Sequence, residues 1–310
     1  MTDPVEGVRC AVGARLRGDP LLGTAVPARR WLLVEQDGGW TADTFAGLKA
    51  PPEEKAALAR LVRRHGVRLM LMQRPGVARR GDRSGAGRSR SWCVIDTEPP
   101  SVELWGDIGE GGSLASALKA LEAPRAAPVT PRCGPILVCA NGRKDPCCAI
   151  AGRAVAATLA ERWPERVWEC SHTGGDRFAA NVIVLPEGAC YGGLSPATAV
   201  GVLAAHEEGT PDLVHFRGVT GRGAREQVAL AAAGALLGVP PWDRARLTVC
   251  AHREDVQWWA EVGLDGALAV IVEGHDEVRP AHHLTCGAVR PTKATAPIVD
   301  RVRRGGAAPR

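Results

Sequence analysis

A chain of 310 residues with 45% hydrophobic content can bury a sizeable core and predicts a globular protein of two or three domains. A formal net charge of +5 is too mild at this length to indicate a nucleic-acid binder, and no apolar run approaches the roughly 18 residues a membrane span needs. The opening MTDPVEGVRC lacks the basic start and apolar run of a secretory signal, so a cytoplasmic location is expected, where the ten cysteines stay thiols unless a metal or a redox cycle uses them.

The first third alternates strand and helix signals. Strands are predicted over 31–36, 67–72, 91–96 and 101–106. Between the first two, a helix opens at Pro52 and Glu53 with Leu58, Leu61, Val62 and His65 along one face, and a second helix is predicted over 113–123. The stretch RPGVARRGDRSGAGRSR at 74–90 carries six arginines and one aspartate but no interleaved aromatic, which reads as a solvated loop. EAPRAAPVTP, with Pro124, Pro128 and Pro131, reads as a stiff linker and closes an N-terminal α/β unit at 1–128.

The next unit, 129–238, begins with an apolar strand at 135–139. A loop follows, then a helix over about 148–163, a strand at 166–170, and a hairpin of 180–185 with 189–194 turning at Pro186 to Gly188. Ser195 caps a helix that starts on Pro196 and ends at Gly209. That order, βαβ followed by ββα, is the order of a thioredoxin-like layer. Beyond that layer lie a strand at 213–218 and an Ala-rich helix at 224–237. The extension 239–310 is expected to be β-rich, with strands near Leu247, Trp258 and Leu268, and no internal repeat is visible.

Two stretches carry the chemistry: CANGRKDPCC, Cys139 to Cys148, and ECSHTGGDRF, where Cys170 and His172 precede Gly174 and Gly175. Both sit at the C-terminal ends of neighbouring strands, where α/β folds collect ligands. That converges Cys139, Cys147, Cys148, Cys170 and His172 on one edge. Gly142 lets the first loop turn closely, and the helix start behind it favours thiolate over thiol. Gly174 and Gly175 let the second loop approach closely. Each cysteine alone would read as an ordinary buried thiol, but the placement of all of them on loops argues for a metal or redox centre.

The paired motifs C-x-N-G-x-x-D-x-C-C and W-E-C-S-H-x-G-G-D-R-F-A-x-N resemble the sucrase/ferredoxin-like family, and the resemblance extends upstream through LLGTAVPARRWLLVEQDGGW, covering about residues 10 to 235. It implies a thioredoxin-like ferredoxin domain with a [2Fe-2S] cluster held by two cysteines at x8 spacing and two histidines in H-x-x-x-H. Cys139 and Cys148 match the cysteine pair, and His172 matches the first histidine. The second falls on Asp176. Because thiolate is the usual ligand of cluster iron, Cys170 is a candidate for the fourth position beside Asp176. Imidazole ligation implies a potential above that of an all-cysteine cluster, and one that depends on pH.

Three functions are weighed on these residues. The first is electron transfer or redox sensing at one [2Fe-2S] centre, with a redox partner protein that the sequence does not name. The others are thiol-disulfide exchange by Cys147 and Cys148, for which a vicinal pair lacks the C-x-x-C geometry, and structural zinc on a Cys3His set. No carboxylate pair is placed for glycoside cleavage. HHLTC (His282, His283, Cys286) lacks a companion pair at finger spacing and reads as tail surface, and RGVTGRGAREQ at 217–227 reads as a structural turn.

Overall fold

A computed structural model describes residues 8–37, 39–76, 90–122 and 134–305. The core of the basic stretch (77–89), the Pro-rich linker from residue 123, and Cys133 lie outside the described residues.

The elements in chain order are α1 (Cys10–Leu16), β1 (Arg30–Glu35), α2 (Thr44–Gly47), α3 (Pro52–His65), β2 (Val67–Gln73), β3 (Ser91–Asp96), β4 (Val102–Asp107) and α4 (Ala115–Glu122). There follow β5 (Ile136–Cys139), α5 (Pro146–Arg162), β6 (Val167–Cys170), β7 (Val182–Val184), β8 (Ala189–Tyr191), α6 (Pro196–Glu207), β9 (Phe216–Val219) and α7 (Ala224–Leu237). Last come β10 (Leu247–Glu254), β11 (Gln257–Leu264), β12 (Ala267–His282) and β13 (Thr292–Arg304). The protein is mixed α/β, as expected. Nine strands form one mixed sheet in the order β4-β3-β1-β2-β6-β5-β7-β8-β9, and β10 to β13 form a separate antiparallel sheet.

The strands on either side of the Pro-rich segment belong to the same sheet. β2 pairs antiparallel with β6 through Met72 with Cys170 and Gln73 with Glu169. A hydrogen bond of 2.8 Å from Gln73 Nε2 to Glu169 Oε2 reinforces the join. The period-two alternation of strands then divides the core. Leu32 and Val34 of β1 face α3 and α4 with Leu58, Leu61 and Leu121, while Trp31 and Leu33 pack on the opposite face with Met70, Met72 and Ile95. Central strands covered on both faces explain the apolar runs WLLV and LMLM at 31–34 and 69–72. On the half built from β5 to β8, Val155 and Leu159 of α5 and Ala199 and Leu203 of α6 close over Ile136, Val138, Val182 and Val184.

The extension is β-rich as expected, but it holds four strands where three signals were read. β13, TKATAPIVDRVRR, mixes charge, proline and apolar residues because it is an edge strand with most of its positions exposed. α7 bridges the two sheets, giving Ala231 to the main core and Val228, Ala229 and Ala233 to the core of the second sheet.

His206 is a buried core histidine. Its Nδ1 lies 3.0 Å from the Tyr191 hydroxyl, and its ring sits 4.2 Å from that of Trp242. Burial, then the charge of Arg166, lowers its pKa from 6.5 to about 4. The unfolded chain therefore takes up a proton before the folded one does. This contribution to stability is complete above about pH 6.5 and is lost as pH falls toward 4, and it amounts to something on the order of 3 kcal/mol. In denaturant titrations, stability should fall between pH 7 and pH 4.5 more steeply in the parent than in His206→Phe. Parallel pH profiles for the two proteins would contradict this assignment.

Candidate metal centre

The first half of the site is built at the end of β5. Cys139 closes the strand, and Asn141 turns the chain, its Oδ1 accepting the N–H groups of Arg143 and Lys144 at 3.2 and 3.3 Å. Its Nδ2 donates to the Thr41 carbonyl at 2.9 Å, so the N-terminal unit braces the loop. Asp145 caps α5, accepting the Cys147 N–H at 2.9 Å, and Pro146 occupies the first helical position. The cap starts the helix two residues earlier than the periodicity alone suggested. It places Cys148 in the first turn, next to Cys139.

The second half follows β6. Ser171 exchanges hydrogen bonds with Leu71, its N–H donating at 2.8 Å and its Oγ accepting at 3.0 Å, and Arg68 donates to the His172 carbonyl at 2.9 Å. Gly174 and Gly175 take φ of 91° and 77°, the left-handed region that favours glycine, and turn the chain into the 3-10 segment Asp176–Phe178. The turn is clamped from behind. Asn181 Nδ2 donates to the Gly175 carbonyl at 2.8 Å, and the buried Arg217 donates to the Gly174 carbonyl at 3.2 Å and to Asn181 Oδ1 at 2.8 Å. A side chain at Gly175 would collide with that guanidinium at 2.3 Å. Asn181 was visible only as part of the motif, and Arg217 only as part of a turn. A lone arginine inside the apolar run of β9 was the available signal for the latter.

These two loops bring Cys139 Sγ, Cys148 Sγ and an imidazole nitrogen of His172 within 4.8 Å of one another. Cys139 and Cys148 are fully buried, whereas the side chain of His172 retains 19% exposure. Asp176, 2% exposed, is not one of that 4.8 Å set but stands against two of its members. Its Oδ1 accepts from the Cys148 thiol at 3.4 Å and lies 3.0 Å from His172 Nδ1, a close approach that lacks hydrogen-bond alignment and leaves that buried nitrogen unpartnered. The Cys148 thiol, helped by His172 and the Thr173 N–H, holds the Cys139 thiol well below its usual pKa against the opposing effect of burial. Cys148 moves up, driven by Cys139 and by burial. Burial opposes charge on His172, but Asp176 and Cys139 outweigh it and push its pKa up to about 9. The Cys139 sulfur is thus favoured as thiolate, and a cation bound here would displace protons from His172 and from the Cys148 thiol.

The other residues read from sequence fall nearby in different roles. Cys170 sits opposite Cys139 on the parallel partner strand, so the two share a sheet face. Its sulfur lies outside the 4.8 Å set and packs in the cluster with Met72, Trp168 and Leu185; burial, then Cys139, raises its pKa well above the usual thiol value. Cys147 turns away from Cys148 toward Cys10 and Cys286. Gly142 owes its size to helix packing, since a Cβ there would meet that of Ala149 at 2.8 Å.

The family model described as sucrase/ferredoxin-like matches residues 21–218, a span that contains both loops, Asn181 and Arg217. No curated protein and no solved structure matches the chain.

Proposed function

The chain belongs to the sucrase/ferredoxin-like family, and from that premise we propose that it binds a [2Fe-2S] cluster and works as an electron-transfer or redox-sensing protein. The observation that carries this reading is the triad itself. Two buried sulfurs and an imidazole converge within 4.8 Å, and the imidazole carries a buried nitrogen without a hydrogen-bond partner. Cys139 and Cys148 form the sulfur side of the donor set, and His172 with Asp176 forms the nitrogen and oxygen side. The cluster would supply one-electron chemistry at a potential raised by the neutral ligand.

The chain's own residues do the rest. Cys10 and Ala11 of α1, with Ala179, pack over the cysteines and exclude water. His172 is the donor nearest solvent, so a redox partner protein would exchange electrons at its edge. Residues 129–238 are assigned as the thioredoxin-like ferredoxin layer, supported by β5 parallel to β6 and antiparallel to β7, with β8 antiparallel beyond it. Residues 1–128 form the buttressing α/β unit and 239–310 the extension. Thiol exchange through Cys147 and Cys148 is disfavoured because the two sulfurs have different neighbours and Cys148 is fully buried. Among the described residues no helix is long and apolar enough to cross a membrane, and the free thiols suit a reducing cytoplasm.

Anaerobic purification should give a brown protein with iron matched by acid-labile sulfide, and the reduced form should show the electron paramagnetic resonance of a two-iron centre. A colourless protein with zinc at these residues would overturn the reading. The same spectrum addresses the fourth ligand. Asp176 touches both Cys148 and His172 whereas Cys170 is held in the apolar cluster, so Asp176→Ala should shift the g-values or lose the cluster, and Cys170→Ala should leave the signal unchanged. The reverse result would assign Cys170.

A further inference from the structure

Beside the first centre lies a second group of thiols that the proposed cluster does not use. The sulfurs of Cys10, Cys147 and Cys286 form a triangle with sides of 3.7 Å (Cys10 to Cys147), 3.5 Å (Cys147 to Cys286) and 3.4 Å (Cys286 to Cys10). Asp145 completes it, with Oδ2 accepting from the Cys10 thiol at 3.4 Å, and all four ligand atoms lie within 4.8 Å of one another. The three thiols come from α1, from the start of α5 and from the turn between β12 and β13. Cys286 belongs to the HHLTC segment that sequence alone assigned to tail surface. It is exposed, but it is folded back onto the other two.

We propose that Cys10, Cys147, Cys286 and Asp145 form a binding site for a single zinc ion, separate from the Cys139/Cys148/His172 centre. The argument is geometric. Four ligands around zinc at about 2.3 Å place neighbouring sulfurs about 3.8 Å apart, and the observed triangle is within a few tenths of an ångström of that edge. A disulfide would need two sulfurs at about 2.05 Å, and an odd number of thiols cannot all pair. Burial raises the Cys10 and Cys147 thiols above their usual pKa, so a bound ion has to displace their protons, and backbone N–H groups are placed to stabilise the sulfurs once it does. The Cys10 N–H donates to Cys286 Sγ at 3.4 Å, and the Ala11 N–H points at Cys147 Sγ. Asp145 is fixed by the N–H groups of Cys147 at 2.9 Å and Cys286 at 2.7 Å, so its carboxylate is oriented before any ion arrives.

Binding releases the three thiol protons and joins segments separated by 135 to 276 positions in sequence. The site thereby pins α1 and the turn between β12 and β13 to the loop that carries Cys148. It is a structural role, since Asp145 and the three sulfurs fill a tetrahedron and leave no open position for substrate.

Elemental analysis of the full-length protein tests the assignment. Zinc is expected at about one per chain alongside the iron, and cobalt(II) in its place should show the sulfur-to-metal charge transfer and visible bands of a tetrahedral thiolate site. Cys286→Ser should lose the zinc and keep the iron; Cys148→Ser should lose the iron and keep the zinc. A parent protein with iron and no zinc fails this reading alone, and a parent protein with one zinc at this site and no iron fails only the cluster reading. Zinc absent from the parent protein, or retained in both Cys286→Ser and Cys10→Ser, would overturn the site. A disulfide among the three cysteines in the protein purified under reducing conditions would overturn it as well. Cys286 lies in an exposed turn, so its variant remains decisive if Cys10→Ser does not fold.

Discussion

If the centre holds the proposed [2Fe-2S] cluster, replacing Cys148 by serine is expected to strip it of iron, with the visible absorption and the paramagnetic signal of the reduced protein falling by at least about tenfold. Serine nearly matches cysteine in size, and its hydroxyl can donate to Asp176 where the thiol does, so the fold should survive. What is lost is one of two sulfurs on the same side of the donor set, and the hydroxyl left behind ionises far less readily than a thiol. Circular dichroism that overlays the parent together with absent iron is the predicted pair of results. Full iron retention would exclude Cys148 as a ligand. The contrasting variant is His172→Cys, which replaces a neutral donor with an anionic one. It should keep iron but lower the reduction potential by on the order of 100 mV or more, toward the roughly −400 mV of all-cysteine plant-type clusters. An unchanged potential in protein film electrochemistry would remove His172 from the centre.

Gly152→Ala is expected to destabilise the protein by about 2 to 3 kcal/mol and to impair iron retention, although the same exchange in an open helix interior stabilises by roughly 0.5 to 1 kcal/mol. Gly152 has ordinary helical φ, so backbone freedom is not the reason for it. A Cβ at this position would stand 1.9 Å from the carbonyl oxygen of Cys139 and 3.0 Å from its carbonyl carbon. Both are backbone atoms, so relief requires α5 and the end of β5 to separate. That separation would pull Cys148 away from Cys139, because the two cysteines sit on the two elements being forced apart. Thermal melts and iron content of the variant should fall together. A melting temperature equal to or above the parent's would mean that the contact relaxes without cost.

Much of the first centre could be read along the chain because its signals are local. D-P-C-C holds a helix cap, a first-turn proline and two cysteines within four residues, and the helix begins there, two residues before the start at about 148 read from periodicity. G-G-D gives its own turn through two positive-φ glycines. Gly152 gave no such sign, since nothing in AIAGRAV distinguishes a glycine needed for contact with a strand carbonyl from one that is merely tolerated. β13 was missed for a related reason: an edge strand with one partner does not need the alternation that reveals a half-buried one. Arg217 and Asn181 work through carbonyls in another loop, which spacing cannot express.

By itself the sequence determined the mixed α/β class, most of the strands and helices, the two cysteine-bearing loops at neighbouring strand ends, and the family to which they belong. These follow from periodicity, caps and turns, which act over fewer than about ten residues. Only the tertiary structure decided that the strands before and after the Pro-rich segment share one sheet, that Asp176 rather than the sulfur of Cys170 touches both Cys148 and His172, and that Cys147 turns from its neighbour to meet Cys10 and Cys286. Such meetings are set by the packing of elements far apart in sequence. Adjacent helical residues such as Cys147 and Cys148 necessarily point about 100° apart, and what each one faces depends on where the rest of the chain has gone.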